Sequence, residues 1–339
     1  MLTALAARTA LYATAAALAG AGASTVTRRK AARREAEAEA AFPPQGEVID
    51  VTFQGRTVPV HAVVRGAGPD LVLIHGASGN LRDWTFAFAD RMADRFRVIA
   101  LDRPGLGYTG RTDPGYDHAL SSAAESPADQ AGLLCAACRA LGADRPLVVG
   151  HSFGGAVALA WAVHHPQAVR GLVLVAAASN RWKGGLGPLY AVNASALGGA
   201  AVVPLLTAFA PDRRLEDITR AIFAPDPVPP GYDAHVGAQL TLRRSALRAN
   251  ARQVNGLKPY IVEMERHYPA LTLPIESIHG TADTIVPAAI HAEPFARMVP
   301  QTNLTLLDGI GHMPHHAAPE AVEAAILRAH DRSIRQSGT

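Results

Sequence analysis

The sequence contains few of the residues that cross-link a small scaffold. Two of its 339 residues are cysteine, so the chain can build neither a disulfide framework nor a four-cysteine zinc site. Both, Cys135 and Cys138, fall in the middle of a helix-like stretch, where we expect core packing and not redox chemistry. No H-E-x-x-H or comparable motif occurs among the fourteen histidines. We therefore expect no metal, no cofactor and a core held by apolar burial, which 49% hydrophobic residues can supply.

Outside the N-terminal segment, the sequence has no excess of positive or negative charge. The formal net charge of the chain is +3, and residues 1–40 account for all of it. Their charged residues are Arg8, Arg28, Arg29, Lys30, Arg33, Arg34, Glu35, Glu37 and Glu39. Residues 41–339 are therefore formally neutral and show no phosphate-binding pattern, so nucleic acid is not an expected partner.

One long uncharged run is present near the N-terminus, from Thr9 to Thr27. As a helix it would extend about 28 Å, enough to cross a bilayer. One arginine precedes the run and five basic residues follow it, so the positive-inside rule predicts an uncleaved membrane anchor with a cytoplasmic catalytic domain. Cleavage at Ala21-Gly22-Ala23 with export is the alternative, and a soluble helix is a third. The Glu-Ala repeat that follows resembles a linker, so residues 1–41 are predicted to be anchor and linker.

A G-x-S-x-G motif occupies residues 150–154, with Ser152 at its centre. An apolar run precedes the motif and a helix-like stretch follows it, so Ser152 falls at a sharp turn between strand and helix. Such a turn pushes a serine clear of the backbone, and Gly150 and Gly154 let the strand and the helix approach each other. This context favours a nucleophilic serine over the alternative, an ordinary glycine-rich turn.

A serine nucleophile needs a base to take its proton and a carboxylate to orient that base. Asp283 follows an apolar, strand-like run at 274–279, and His312 follows another at 302–307. A carboxylate or an imidazole just past the end of a strand suits these roles. We therefore take Asp283 as the acid and His312 as the base.

Other aspartate and histidine residues are alternatives to these assignments. Asp308 lies four residues before His312 and is a rival acid, but its D-G-I-G turn is typical of an aspartate that bonds its own backbone. His315 and His316 are expected on the surface or in a loop. His164-His165 precedes a proline at a helix end, where histidine is favoured.

The chain order Ser152, Asp283, His312 resembles that of the α/β-hydrolase family. Two more motifs extend the resemblance over about residues 48–333: a strand that ends in His75-Gly76-Ala77, and a D-x-P-G-x-G-x-T turn at 102–109 whose role in the family is mainly structural. The resemblance implies that the N–H groups of Ala77 and Phe153 form the oxyanion hole and that His75 orients the oxyanion loop. His151 and Trp84 are candidates for the substrate pocket, with core packing as the alternative for Trp84.

Strand-like and helix-like segments alternate along the chain and predict strands near 48–53, 57–65, 70–75, 97–101, 146–150, 170–176, 274–279 and 302–307. Helices fit between most of them, which predicts an α/β fold with an eight-stranded, mostly parallel α/β-hydrolase sheet. Residues 180–270 are too many for one crossover and are predicted to form an inserted helical cap over Ser152, with 42–179 and 271–339 as the core. Eight apolar cap residues are candidates for an acyl pocket or for the cap's own core: Leu186, Leu189, Tyr190, Leu197, Val202, Leu205, Leu206 and Phe209.

The resemblance implies a serine hydrolase of the carboxylesterase type, acting on an ester or related acyl bond of a small to medium apolar substrate. Epoxide hydrolases and haloalkane dehalogenases of this fold use an aspartate nucleophile, so Ser152 argues against both. Hydrolysis of C–C bonds and perhydrolysis stay open, because both use the same triad. A catalytically idle, membrane-tethered binding protein is the alternative from another class. The sequence does not indicate the oligomeric state.

Overall fold

An eight-stranded sheet forms the centre of the protein in the computed structural model, which describes residues 24–118, 121–185 and 187–337. The strands lie in the order β1-β2-β4-β3-β5-β6-β7-β8. β1 and β4 pair antiparallel with β2, and the remaining neighbours are parallel. The predicted sheet is confirmed, with bounds of β1 Glu47–Phe53, β2 Arg56–Arg65, β3 Asp70–Ile74, β4 Arg97–Leu101, β5 Leu147–His151, β6 Gly171–Val175, β7 Ile275–Gly280 and β8 Thr302–Leu307.

Helices cover both faces of the sheet and fill the long connection between β6 and β7. The described part of the first helix, α1, is residues 24–41. The others are α2 Arg82–Thr85, α3 Phe88–Ala93, α4 Pro127–Ala140, α5 Phe153–His164, α6 Pro188–Ala194, α7 Ala196–Phe209, α8 Asp212–Phe223, α9 Tyr232–Val236, α10 Arg244–Met264, α11 Ala292–Met298, α12 Pro314–Ala317 and α13 Pro319–Ser337.

Successive residues of the central strands enter opposite layers of the core. In β3, Val72 and Ile74 pack with α4 and α5, whereas Leu71 and Leu73 pack with α3 and α13. Because both faces of a parallel sheet are covered, its strands are continuous apolar runs and not alternating ones. The two cysteines are buried in the first of these layers, and burial raises the pKa of both thiols. The prediction that they serve core packing is confirmed.

The connection between β6 and β7 contains the five helices α6 to α10, which correspond to the predicted cap. All but α7 contribute side chains to the cavity that contains Ser152. Helix α10 joins the cap to the core: the side chain of Asn250 accepts a hydrogen bond of 2.7 Å from the N–H of Ser78, and Gln253 donates one of 2.8 Å to the carbonyl of Pro104. The cap therefore has a fixed attachment beside the loop that follows β3.

Helix α1 packs on the cap. Ala31 and Ala38 are buried two helical turns apart, and between them the Glu35 carboxylate accepts three hydrogen bonds from the backbone and guanidinium of Arg244. Residues 35–41, which the sequence analysis assigned to a linker, are thus the second half of a docked helix. Alanine and glutamate favour helix, and these contacts supply the packing that a short isolated helix lacks.

The uncharged run Thr9–Thr27 falls mostly on residues 1–23, which lie outside the described residues. In the described parts of the chain, no single helix is both long and apolar enough to cross a membrane. Helices α6 and α7 together reach the required length and composition, but the pair is bent by 106°.

Candidate active site

Ser152 stands at a strained turn between strand β5 and helix α5. Its φ and ψ angles are 53° and −117°, a combination that non-glycine residues rarely adopt. A Cβ atom at Gly150 would lie 2.3 Å from the carbonyl oxygen of Gly154, and one at Gly154 would lie 2.3 Å from that of Ile74. Both glycines are therefore needed for the close approach of strand and helix, as the motif predicts.

The three residues predicted to be catalytic lie within hydrogen-bonding distance of one another. His312 Nε2 is 3.0 Å from Ser152 Oγ, and His312 Nδ1 is 2.7 Å from Asp283 Oδ2. Because Nδ1–H donates to the carboxylate, Nε2 has the lone pair that can accept the serine proton. Ser152 follows β5, Asp283 follows β7 and His312 follows β8. The carboxyl ends of these parallel strands lie at the same edge of the sheet.

Asp283 is held in its ionised form. Its Oδ1 accepts hydrogen bonds of 2.9 Å from the N–H groups of Ile285 and Val286. Burial by itself would raise the pKa of Asp283, but hydrogen bonds from His279 and His312 and from the backbone hold that pKa well below its usual value. An ionised Asp283 fixes the tautomer of His312 and stabilises its charged form.

The rival acid, Asp308, bonds elsewhere. Its Oδ1 accepts a hydrogen bond of 3.2 Å from the hydroxyl of Thr281, and the same hydroxyl accepts one from the N–H of Gly309. The side chain of Thr281, in the loop after β7, therefore bonds two residues of the turn at 308–311. The expectation that Asp308 would bond its own backbone is replaced by this contact.

The two predicted oxyanion donors flank the serine. Ala77 lines the cavity that contains Ser152, and Phe153 is the first residue of α5, where backbone N–H groups have no partner within the helix. His75 fixes the loop before Ala77: its Nδ1–H donates to the carbonyl of Gly76, and its Nε2 accepts from the N–H of Arg103. Burial, followed by the charge of Arg103, lowers the pKa of His75 to about 4, so the ring is neutral. The oxyanion assignment itself stays a prediction.

Arg103 is a residue of this site that the sequence analysis missed. Its buried guanidinium donates to the carbonyl of Gly76 at 3.1 Å and to the side chains of Gln130 and Gln253. It also lies 4.2 Å from the centre of the Phe153 ring. Arg103 therefore connects the two segments that contain the predicted oxyanion donors, Ala77 and Phe153, with cap helix α10. A cation directly after a buried strand, inside the 102–109 turn, was the available signal.

The cavity over Ser152 has a volume of about 380 Å³. Its wall combines core loops with apolar residues from α6, α8, α9 and α10, among them Leu189, Tyr190, Leu215, Ile218, Ile222, Phe223, Val236 and Leu247. A small apolar acyl or alcohol group fits such a wall.

The expected pocket role of the apolar cap residues is correct only for some of them. Leu189 and Tyr190 line the cavity, and Leu186 lies outside the described residues. Leu197, Leu205 and Phe209 are instead exposed on the outer surface of the protein. The reason is that the buried side of α7 consists of Gly198, Gly199, Val203, Thr207 and Ala208, and the three exposed residues lie on the opposite side. Val202 and Leu206 are partly buried and do not line the cavity.

Of the two other candidates for the pocket, His151 lines the cavity and Trp84 does not. Trp84 is fully buried against the rings of Phe88 and His315, so its role is core packing. His151 Nε2–H donates to the backbone carbonyl of His312 at 2.9 Å, and His151 Nδ1 has no hydrogen-bond partner among the described residues. Burial, followed by the neighbouring His315 and His312, lowers the pKa of His151 well below its usual value, so this ring is also neutral.

Asp83 is the centre of a buried polar cluster beside the triad. Its Oδ1 accepts hydrogen bonds of 2.8 Å from the hydroxyl of Tyr232 and from His316 Nε2, and its Oδ2 accepts one of 3.1 Å from His315 Nε2. Burial alone would raise the pKa of Asp83, but His315 and His316 hold it well below its usual value. The expectation that His315 and His316 lie on the surface or in a loop is wrong, because both belong to the short helix α12 and bond this buried carboxylate.

A group with metal-ligand chemistry occurs within this cluster. Ligand atoms of Asp83, His151 and His315 all lie within 4.8 Å of one another, although the three residues are far apart in sequence. Spacing along the chain therefore could not reveal the group. Both oxygens of Asp83 already accept hydrogen bonds, whereas His151 Nδ1 and His315 Nδ1 have no partner among the described residues. Because the carboxylate of Asp83 is engaged by three donors, we assign no metal to the group.

Comparisons with known proteins agree with this geometry. A sequence model described as the alpha/beta hydrolase family matches residues 71–325. The 2-hydroxymuconate semialdehyde hydrolase of Pseudomonas sp. (strain CF600) is 31% identical over 74% of this chain and 79% of its own. A pimeloyl-(acyl-carrier protein) methyl ester esterase of Vibrio vulnificus (strain YJ016) is 27% identical over 77% of this chain and 94% of its own. The crystal structure of a hydrolase from Pseudomonas aeruginosa PA01 has a TM-score of 0.65 at 19% identity, over 84% of this chain and 98% of that one, which shows a shared fold.

Proposed function

The chain belongs to the α/β-hydrolase family, and on that premise we propose that it is a carboxylesterase-type serine hydrolase that cleaves an ester or related acyl bond of a small to medium apolar substrate. The observation that carries the proposal is the hydrogen-bonded series Ser152, His312, Asp283 at the floor of a mostly apolar cavity. The esterase relative from Vibrio vulnificus, whose name specifies a methyl ester, supports it.

In the proposed mechanism, His312 Nε2 takes the proton of Ser152 while Oγ attacks the carbonyl carbon of the substrate. The N–H groups of Ala77 and Phe153 donate to the oxyanion, and Asp283 stabilises the charged imidazole. When the tetrahedral intermediate collapses, His312 gives its proton to the leaving alcohol, and the acyl group stays on Ser152. His312 then deprotonates a water molecule, which attacks the acyl carbon and releases the carboxylic acid.

Hydrolysis of a C–C bond is a second candidate function. It is favoured by the 31% identity to the protein named 2-hydroxymuconate semialdehyde hydrolase. The same triad serves it, and also perhydrolysis, so the catalytic residues do not separate the three reactions. A catalytically idle binding protein fits less well, because three aligned hydrogen-bonding groups with an ionised Asp283 serve no purpose in mere binding.

The test is active-site labelling of the full chain followed by turnover assays. The parent protein, Ser152→Ala and the control Ser122→Ala, an exposed loop serine, are treated with a fluorophosphonate probe. Each is then assayed with p-nitrophenyl esters of short and medium acyl length and with 2-hydroxymuconate semialdehyde. We expect labelling and ester turnover in the parent and in Ser122→Ala, and neither in Ser152→Ala. A folded parent that takes no label would refute a serine hydrolase, whereas labelling with turnover of the semialdehyde alone would select the second candidate.

We also propose that the uncharged run Thr9–Thr27 anchors the chain in a membrane with its catalytic part in the cytoplasm. The single arginine before the run and the five basic residues after it support this orientation. Mass spectrometry of the N-terminus of the membrane fraction tests it. An intact N-terminus is expected, and a mature chain that begins after Ala23 would instead support export.

A further inference from the structure

Helix α7 presents an apolar face to solvent. Its exposed residues are Leu197, Ala200, Ala201, Leu205 and Phe209, which recur at the spacing of one helical stripe. We call this stripe the α7 face. Leu197 is 83% exposed, and Leu205 and Phe209 are each about half exposed. The one polar residue of the helix, Thr207, is on the buried side.

This arrangement reverses the usual one for a helix on a protein surface. The side of α7 that faces the protein has Gly198, Gly199, Val203 and Ala208, whereas Leu197, Leu205 and Phe209 are exposed. A helix that is apolar all round is normally buried in a core or in lipid. A contiguous exposed apolar patch of this kind marks an interaction surface.

Basic residues stand next to the α7 face. Lys30 Nζ on α1 lies 4.2 Å from the centre of the Phe209 ring, and Arg34 on the next turn of α1 bonds Asp212 at 2.7 Å. Arg28 and Arg29 are exposed on the turn before Lys30, and so is the apolar Val26. Lys30 therefore brings the basic residues of α1 to the end of the α7 face that contains Phe209.

The cavity over Ser152 has exposed lining residues on the two helices next to α7 in the chain. Leu189 on α6 and Ile218 on α8 line the cavity and are also exposed. Helix α7 is the element that links these two helices. The apolar side chains of Leu189 and Ile218 therefore extend from the cavity to the surface of the cap, on the helices that precede and follow α7.

We propose that the α7 face, with the basic start of α1 beside it, docks on a lipid bilayer that contains anionic lipids, and that the entrance between Leu189 and Ile218 admits acyl esters from that bilayer. Exposed leucine and phenylalanine enter the boundary of the acyl chains, and Arg28, Arg29 and Lys30 meet anionic headgroups. The docking is argued only from the exposed residues of the α7 face and of α1. The delivery of esters from the bilayer also rests on the proposed function.

The docking is tested with a fluorescent label at single positions of the full chain, reconstituted in vesicles of phosphatidylcholine and phosphatidylglycerol. Cys135 and Cys138 are buried, so a thiol introduced by Leu197→Cys or Leu205→Cys reacts selectively with a nitrobenzoxadiazole reagent. Ile334→Cys is the matched control, since Ile334 is an exposed apolar residue on α13, outside the cap. Lipids with a doxyl group on the acyl chain should quench the label at 197 and 205 but not at 334.

The same measurement distinguishes other occupants of the α7 face. An unquenched label at 197 in protein that floats with the vesicles would overturn the docking, because an N-terminal anchor alone would then hold the chain. A label at 197 that is shielded in vesicle-free protein, together with a dimer in analytical ultracentrifugation, would assign the face to a second copy of the chain and would also overturn it.

The delivery of substrate is tested with charged variants. The double variant Leu197→Glu with Leu205→Glu should lose about tenfold or more of its rate on a long-chain ester embedded in vesicles. Its rate on dissolved p-nitrophenyl butyrate should stay within about twofold of the parent, as should both rates of Ile334→Glu. Equal losses on both substrates would refute delivery from the bilayer. A parent without ester turnover would refute the proposed function, and the quenching result would still decide the docking.

Discussion

His151 Nε2–H donates a hydrogen bond of 2.9 Å to the backbone carbonyl of His312. The residue before the nucleophile thus holds the loop that carries the base. His151 Nδ1 has no partner among the described residues, so Nε2 carries the proton and the ring acts as a fixed donor. Positioning of the base therefore depends on a side chain that itself exchanges no proton in the proposed reaction.

Replacing His151 by phenylalanine tests this positioning role. His151→Phe keeps a ring of similar size but removes the donor, so the loop of His312 is less well placed. We expect kcat and the rate of fluorophosphonate labelling to fall by about tenfold to a hundredfold, with the protein still folded. His164→Phe, at the end of α5, is the control. A labelling rate equal to that of the parent would show that His151 does not position the base.

Substitution of the two candidate acids tests which one orients His312. Asp283→Asn removes the charge that fixes the tautomer, so kcat should fall by about 10³-fold to 10⁴-fold. Asp308→Asn changes only the contact with Thr281 and should leave kcat within about twofold. Steady-state kinetics on one p-nitrophenyl ester decide between them, and a large loss in Asp308→Asn would contradict the assignment.

Two glycine substitutions should change stability in opposite directions. A Cβ atom at Gly154 would lie 2.3 Å from the carbonyl of Ile74, so Gly154→Ala should lower the free energy of unfolding by about 3 kcal/mol. Gly256 lies inside α10. Apart from its two chain neighbours and the backbone of its own helix, no atom lies within 4 Å of the position of a Cβ there. Gly256→Ala should therefore raise that free energy by about 0.5 to 1 kcal/mol. Urea unfolding of both variants measures the difference, and equal stabilities would count against the packing argument.

Acid should destabilise the fold through its buried neutral histidines. The pKa values of His75, His291 and His315 are each lowered from 6.5 to about 4, mainly by burial. Between pH 6.5 and pH 4 the unfolded chain binds more protons at these positions than the folded one, so the free energy of unfolding must fall as the pH falls through this window.

The contribution of one histidine can be isolated. Each could account for about 3 kcal/mol over the whole window. His291 Nδ1 accepts hydrogen bonds from the N–H groups of Ser179 and Asn180, and an asparagine oxygen can replace this acceptor. His291→Asn should therefore show a shallower loss of stability with acid than the parent. Thermal unfolding from pH 7 to pH 4.5 checks this, and parallel curves would speak against a neutral His291.

The sheet and the triad could be predicted because their signals are local. The central strands β3 to β6 are mostly apolar and buried, and the turn at Ser152 needs glycines at fixed positions on either side. Asp283 and His312 lie in the segments that follow the neighbouring strands β7 and β8, so the topology of the sheet brings them to the same edge as Ser152. The distances within the triad confirm that placement.

The contacts that could not be predicted join segments that are distant in sequence. Asp83, Tyr232 and His315 come from helix α2, from cap helix α9 and from helix α12, and no spacing within any one segment indicates that they meet. The orientation of α7 was also hidden, because a helix that is apolar on every side has no periodicity to show which side is buried.

The packing of α1 on the cap limits how far the N-terminus can be truncated in a recombinant protein. A truncated protein that begins at Phe42 would uncover the cap surface beneath Ala31 and Ala38 and would leave Arg244 without Glu35. One that begins at Ser24 omits most of the uncharged run and keeps these contacts. Activity lost on truncation to Phe42 would therefore report a loosened cap, and it would be misread as a requirement for the proposed membrane anchor.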